Sequence, residues 1–254
     1  MAVVDGYLYT SVIRILLDVA LRRNYPWDVR ILALVAGTNV PSNAELLCDA
    51  FLDGIRLECA DVAISKLALR ELSIEHFKII YYHPQCPSED DFCALQSLVE
   101  EADGIVIASP VWNFSVPAHL KNVIDRMGAF CLDEATRTRG KLKGTPAYFL
   151  FTGGSPNAAW KGLMRFTTSH VHESLRYYGA SIIGRIYEGR CTPKKGEFGL
   201  VLDTRPLALE RARRAGRSYG VIVRNFAKHR LLPLRHRIMQ KLYRGAQRFV
   251  AKFL

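Results

Sequence analysis

One pattern recurs along the chain: a short apolar run closed by glycine or polar residues, then a longer stretch whose apolar residues return every three or four positions. RILALVAG (30 to 37) is the first such run, too short for a typical helix, and it reads as a strand buried on both faces. SNAELLCDAFLDGI (42 to 55) has helical spacing, DVAISKL (61 to 67) is strand-like, SEDDFCALQSLVEEA (88 to 102) is helical and GIVIASP (104 to 110) is a strand. PAHLKNVIDRMGAF (117 to 130) predicts a helix, TPAYFLFTGG (145 to 154) a strand, AAWKGLMRFTTSHVHESLRYYG (158 to 179) a helix and ASIIGRIYEG (180 to 189) a fifth strand. Parallel strands need crossover connections, so this alternation predicts a doubly wound α/β domain with helices on both faces of a five-stranded parallel sheet. Leu8, Val12, Ile15 and Val19 predict an added N-terminal helix over 7 to 23, and helical spacing returns after residue 205. The expected division is an N-terminal extension (1–29), the α/β domain (30–204) and a C-terminal helical extension (205–254).

Charge changes the picture only at one end. The formal net charge is +11, yet residues 205 to 254 hold 14 Lys+Arg against one acid, while residues 1 to 204 hold 21 against 23. Any acidic partner therefore concerns the tail alone. Its last stretch places Ile238, Leu242, Phe249 and Phe253 on one side and Arg237, Lys241, Arg244, Arg248 and Lys252 around another. Such a basic amphipathic helix lies on an anionic membrane surface, docks on a partner subunit, or covers a core face in solution. Nucleic acid is disfavoured, because the aromatics do not alternate with the charges.

Hydrophobic residues make up 49% of the chain, but no stretch of about 18 residues is both apolar and free of charge, so no spanning helix is expected. The N-terminus lacks the basic segment of a secretory signal; the expected location is the cytoplasm, with peripheral membrane contact through the tail as an addition. The six cysteines (48, 59, 86, 93, 131 and 191) form no C-x-x-C pair and have no histidines at zinc-ligand spacing, which reads as free thiols.

In doubly wound sheets ligands bind beyond the carboxyl ends of the strands, which directs attention to three loops. After the first strand, Thr38, Asn39, Ser42 and Asn43 supply short polar groups where a helix begins, suited either to a phosphate or to an ordinary N-cap. The absence of a GK[ST] ending and of cations in this loop points away from ATP. After the third strand, Pro110, Val111, Trp112, Asn113 and Phe114 form a stiff aromatic corner, a wall for a flat ring or else a plug for the core. After the fourth, Thr152, Gly153 and Gly154 offer bare backbone, or simply a glycine-rich turn. Together they suit a ligand with a phosphate at one end and a flat polar ring at the other.

GTNVPSN (37 to 43), SPVWNFSVPAHLKNVIDR (109 to 126) and FTGGSPN (151 to 157) resemble the three flavin loops of the flavodoxin-like NAD(P)H-dependent FMN reductase and quinone reductase family. The resemblance covers roughly residues 30 to 190 and implies the strand order 2-1-3-4-5, FMN as cofactor, and NADPH or NADH as co-substrate. It implies that Thr38, Asn39, Ser42 and Asn43 meet the phosphate, Pro110 to Phe114 line the ring, and Thr152 to Gly154 meet its pyrimidine edge. Hydride would pass from nicotinamide to flavin and on to a quinone-like or other small acceptor, with no catalytic side chain required. His119, His170 and His172 then read as structural, as do Lys121 and Asp125. With only Cys86 and Cys93 in the relevant region, no iron–sulfur cluster is expected; a homo-oligomer is. The competing readings are a flavodoxin-type electron carrier without turnover of its own and a flavin-free scaffold.

Overall fold

The computed structural model describes residues 29–83, 90–193, 197, 199–250 and 252. The five apolar runs form β1 (Val29–Val35), β2 (Val62–Ala68), β3 (Gly104–Val111), β4 (Pro146–Gly153) and β5 (Ser181–Glu188). Between and after them lie α1 (Asn43–Glu58), α2 (Phe92–Glu101), α3 (Ala118–Cys131), α4 (Asn157–Lys161), α5 (Ser169–Tyr177), α6 (Pro206–His229) and α7 (Leu234–Val250). All strand pairs are parallel, in the order β2-β1-β3-β4-β5. The winding therefore reverses between β1 and β3, which opens a crevice at their carboxyl ends. The N-terminal helix expected over 7 to 23 lies outside the described residues.

The strands read as unbroken apolar runs because both faces are buried. Leu32 and Leu34 join Leu120, Phe149 and Phe151 on one side of the sheet, while Ile31, Ala33 and Val35 join Phe51, Leu202 and Tyr219 on the other. The second layer is built by α1 and α6 together. Helix α6 buries Ala208, Ala212, Gly216, Tyr219, Val223 and Phe226, a stripe of three- and four-residue steps. Tyr219 donates its hydroxyl to the carbonyls of Ile105 (3.1 Å) and Pro146 (2.9 Å), anchoring α6 across β3 and β4. Two glycines let α1 and α6 touch backbone to backbone. A Cβ on Gly54 would stand 2.0 Å from the Arg213 carbonyl oxygen, and one on Gly216 would stand 2.0 Å from that of Phe51.

Residues 158 to 179, expected as one helix, are two with a 3₁₀ turn (Leu163–Thr168) between them. Gly162 ends α4 with a non-helical backbone (φ −80°, ψ −125°), and the hydroxyls of Thr167 and Thr168 donate to carbonyls three residues back, competing with helical pairing.

Candidate functional site

The first loop is organised around the start of α1. Ser42, in extended conformation, caps the helix by accepting the Glu45 N–H on Oγ at 3.4 Å. Thr38, Asn39, Val40 and Pro41 are exposed, and among the described residues the N–H groups of Thr38, Asn39, Val40, Asn43 and Ala44 have no hydrogen-bond partner. Thr38, Asn39, Asn43 and Ala44 line one cleft with the N-terminal, positive end of the α1 dipole. Glu45, in the first turn, does not oppose that field, because Lys66 (2.9 Å) and Arg70 (3.1 Å) pair with it. Burial pushes the Glu45 carboxyl up, but these two cations outweigh it and hold the group below its ordinary range. Arg70 also donates to the Gly37 carbonyl at 3.2 Å, and His119 Nε2 lies 3.0 Å from the Ala36 carbonyl oxygen, so the base of the loop is tied from two sides. Burial keeps His119 below its usual pKa, and it sits there as a neutral ring.

Asn43 differs from the expectation for a phosphate ligand. Its Oδ1 accepts the N–H groups of Val201 (2.8 Å) and Leu202 (3.0 Å), and its Nδ2 donates to the Gly199 carbonyl (2.8 Å). The side chain is spent on the segment that leads to α6, which leaves its unpaired backbone N–H as the group free for a ligand.

After β3 the chain reverses at once. Trp112 and Ser115 exchange N–H···O bonds of 2.8 and 2.9 Å, and the two residues between them have positive φ, 47° for Asn113 and 64° for Phe114. Two consecutive left-handed residues closing such a pair make a type I′ turn, which asparagine tolerates and phenylalanine resists by about 1–2 kcal/mol. The Asn113 and Phe114 N–H groups have no partner among the described residues. Beside this turn the β4 exit is bare: Thr152 and Gly153 are buried and Gly154 is exposed. A Cβ on Gly153 would stand 2.6 Å from the Tyr187 hydroxyl, whereas one on Gly154 would meet nothing closer than Thr192 at 3.6 Å. The first glycine is thus required by packing; the second leaves backbone open to a ligand.

The three loops border one cleft of about 510 Å³. Eleven of the twelve candidate residues line it, and among the described residues none of its lining side chains is charged. Phe114 stands outside, 71% exposed. Cys191, Thr192 and Gly199, which sequence reasoning missed, complete the wall; the Cys191 N–H donates to the Gly153 carbonyl (2.9 Å), bringing the segment after β5 over the strand ends. Burial raises the Cys191 thiol, which donates to the Glu188 carbonyl and is no nucleophile. Neutral donors at a helix start, a stiff turn and open backbone within one cleft suit an anionic group at one end and a flat heterocycle at the other.

The remaining histidines lie away from the cleft. His172 lies on the buried side of α5, its ring edge-on to Phe149 and Phe151, with no partner for either nitrogen among the described residues. No group of three or more His, Cys, Asp or Glu is placed to hold a metal ion among the described residues; Cys86 lies outside them.

Residues 29–182 match the model of a family described as NADPH-dependent FMN reductase. An iron–sulfur flavoprotein from Archaeoglobus fulgidus is 35% identical over 68 residues, 27% of this chain and 35% of that protein. An FMN-dependent NADH:quinone oxidoreductase from Erythrobacter litoralis is 36% identical over 83 residues, 30% of this chain and 42% of that one, so the matched segment is less than half of each relative. Among solved structures, an NAD(P)H:quinone oxidoreductase from Methanothermobacter marburgensis shares the fold with TM-score 0.60 and 20% identity, over 75% of this chain and 95% of that chain.

Proposed function

Since the chain belongs to the NADPH-dependent FMN reductase family, we propose that the cleft at the carboxyl ends of β1, β3 and β4 holds FMN, and that the protein is an oxidoreductase passing hydride equivalents from NADPH or NADH to a quinone-like or other small acceptor. Bound FMN would supply the two-electron chemistry. The chain's own residues bind and orient. The Thr38 and Ser42 hydroxyls and the open N–H groups at the start of α1 receive the phosphate, aided by the helix dipole. Trp112 and the Asn113 turn flank the ring, and Thr152, Gly153 and Gly154 present backbone to its polar edge.

The observation that carries this reading is a cleft bordered by two loops whose N–H groups have no partner among the described residues, and whose described lining holds no charged side chain. The test is the visible spectrum of the purified protein, followed by steady-state oxidation of NADPH and NADH with a quinone. Flavin absorbance with turnover supports the proposal. Bound flavin without turnover would leave an electron carrier, and a colourless protein that takes up no added FMN would overturn the reading.

A further inference from the structure

Helix α7 turns its apolar side away from the protein. His236, Gln240, Tyr243 and Gln247, spaced by four, three and four, form the half-buried face that meets the domain. The contacts there are polar: Gln247 donates to the Tyr177 carbonyl at 3.1 Å, Gln240 reaches the backbone of Gly179, and the Arg176 guanidinium lies 5.8 Å from the Tyr243 ring centre. Leu234, Ile238, Leu242 and Phe249 occupy a second stripe and face solvent, with Leu234 67%, Leu242 63% and Phe249 63% exposed. Arg237, Lys241, Arg244 and Arg248 form a third stripe along its flank. A helix held to its domain by amides, with Leu234, Ile238 and Leu242 exposed, keeps apolar surface open to a further contact.

Charge decides what could provide it. Residues 234 to 252 contain six Lys+Arg and no acid. A groove of about 840 Å³ between α7 and the start of β5 adds Arg139, Lys143 and Arg176, and no carboxylate lines it. Arg176 already meets Glu173, but pairing two copies of α7 face to face would oppose the remaining cations with no acid on either helix to answer them, which disfavours self-association. An anionic surface with an apolar layer beneath it satisfies both stripes at once. No helix among the described residues is long and apolar enough to cross a membrane, so the contact lies in the plane of the surface.

We propose that α7 docks on an anionic lipid bilayer, with Leu234, Ile238, Leu242 and Phe249 entering the acyl boundary and Arg237, Lys241, Arg244 and Arg248 meeting lipid phosphates. The inference does not depend on the flavin reading, because docking is measured on the protein whether or not it carries cofactor. Each cation close to an anionic surface contributes about fivefold in partitioning, so the Arg244→Gln/Arg248→Gln double variant binds about 25-fold more weakly. Leu242→Ser/Phe249→Ser weakens binding through the apolar stripe, and Leu207→Ser, at an exposed leucine of α6, leaves it unchanged.

The experiment is co-sedimentation of the full chain with vesicles of phosphatidylcholine alone or mixed with phosphatidylglycerol, at low and high salt. Pelleting with the mixed vesicles only, reduced by salt and by both double variants while circular dichroism stays unchanged, is the expected result. Equal pelleting on both vesicle types, no pelleting, or double variants that bind like the parent would each overturn the proposal. So would a dimer in analytical ultracentrifugation that Leu242→Ser/Phe249→Ser dissociates while vesicles bind nothing, since a second copy would then cover the stripe.

Discussion

Alanine at position 216 is expected to weaken the protein although alanine is the better helix former. Within α6 the exchange gains about 1 kcal/mol of helix propensity. The new methyl, however, would stand 2.0 Å from the Phe51 carbonyl oxygen and 2.9 Å from its carbon. Its neighbours here are main-chain atoms of α1, which cannot rotate aside as a side-chain end does, so the helices must part by more than an ångström. Sliding along the contact brings no relief, because Gly54 makes the reciprocal approach to Arg213 one turn away. Parting the helices also loosens the burial of Tyr219 and Phe51 beneath them. Overpacking of this kind costs roughly 1–3 kcal/mol, and backbone against backbone belongs at the top of that range. The net loss is then about 2 kcal/mol, or a fall in Tm of roughly 4–8 °C for a chain of this length. Gly245→Ala in α7 is the control, since nothing lies within 4 Å of its added Cβ; it keeps the propensity gain without the collision and is expected to stabilise by up to about 1 kcal/mol. Urea unfolding of the two variants, followed by far-UV circular dichroism, compares them directly. A Gly216→Ala protein as stable as the parent would refute the backbone contact.

Two further predictions concern a histidine and a turn. His172 is held neutral with its pKa pushed down to about 3, first by burial and then by the charges of Arg185, Arg176 and His170, whereas unfolding returns it to its ordinary value near 6.5. The unfolded chain thus binds the extra proton between those two values, and stability falls with falling pH there by up to about 1.4 kcal/mol per unit. His172→Leu removes this slope, so unfolding free energies measured from about pH 6.5 to about pH 4 decline less steeply than the parent's; parallel curves would contradict the buried neutral ring. Phe114→Gly relieves a left-handed phenylalanine whose side chain is largely exposed, and is expected to raise Tm by a few degrees. A lower Tm in differential scanning calorimetry would show that the ring makes packing contacts worth more than the strain.

Much of the architecture was legible because two-sided burial writes itself as continuous apolar runs, and all five strands fall within a residue or two of their expected positions. Strand order was not in the periodicity; it came with the resemblance carried by SPVWNFSVPAHLKNVIDR. The pattern misled where different geometries share a spacing. A 3₁₀ turn at 163 to 168 preserves helix-like apolar steps, so Gly162 and the paired threonines were absorbed into one helix. Amphipathicity in α7 disclosed two faces and not which of them meets the protein. Asn43 reads as a ligand from its type and place, and the sequence does not show that its side chain is held by partners more than 150 positions away. The segment holding Cys191, Thr192 and Gly199 has no apolar period, so only its path over the strand ends reveals it.

The grip of Asn43 on Gly199, Val201 and Leu202 also sets a timetable for the chain. During synthesis α1 and the first loop emerge early, but the segment that fixes them, and the helix that α1 rests on, come some 150 residues later. Until α6 has left the ribosome, the start of α1 has its open N–H groups without its scaffold. On the proposed function, capture of FMN is an event of the finished chain, and a protein interrupted before residue 199 would carry all three proposed flavin loops and still lack the segment that holds Asn43.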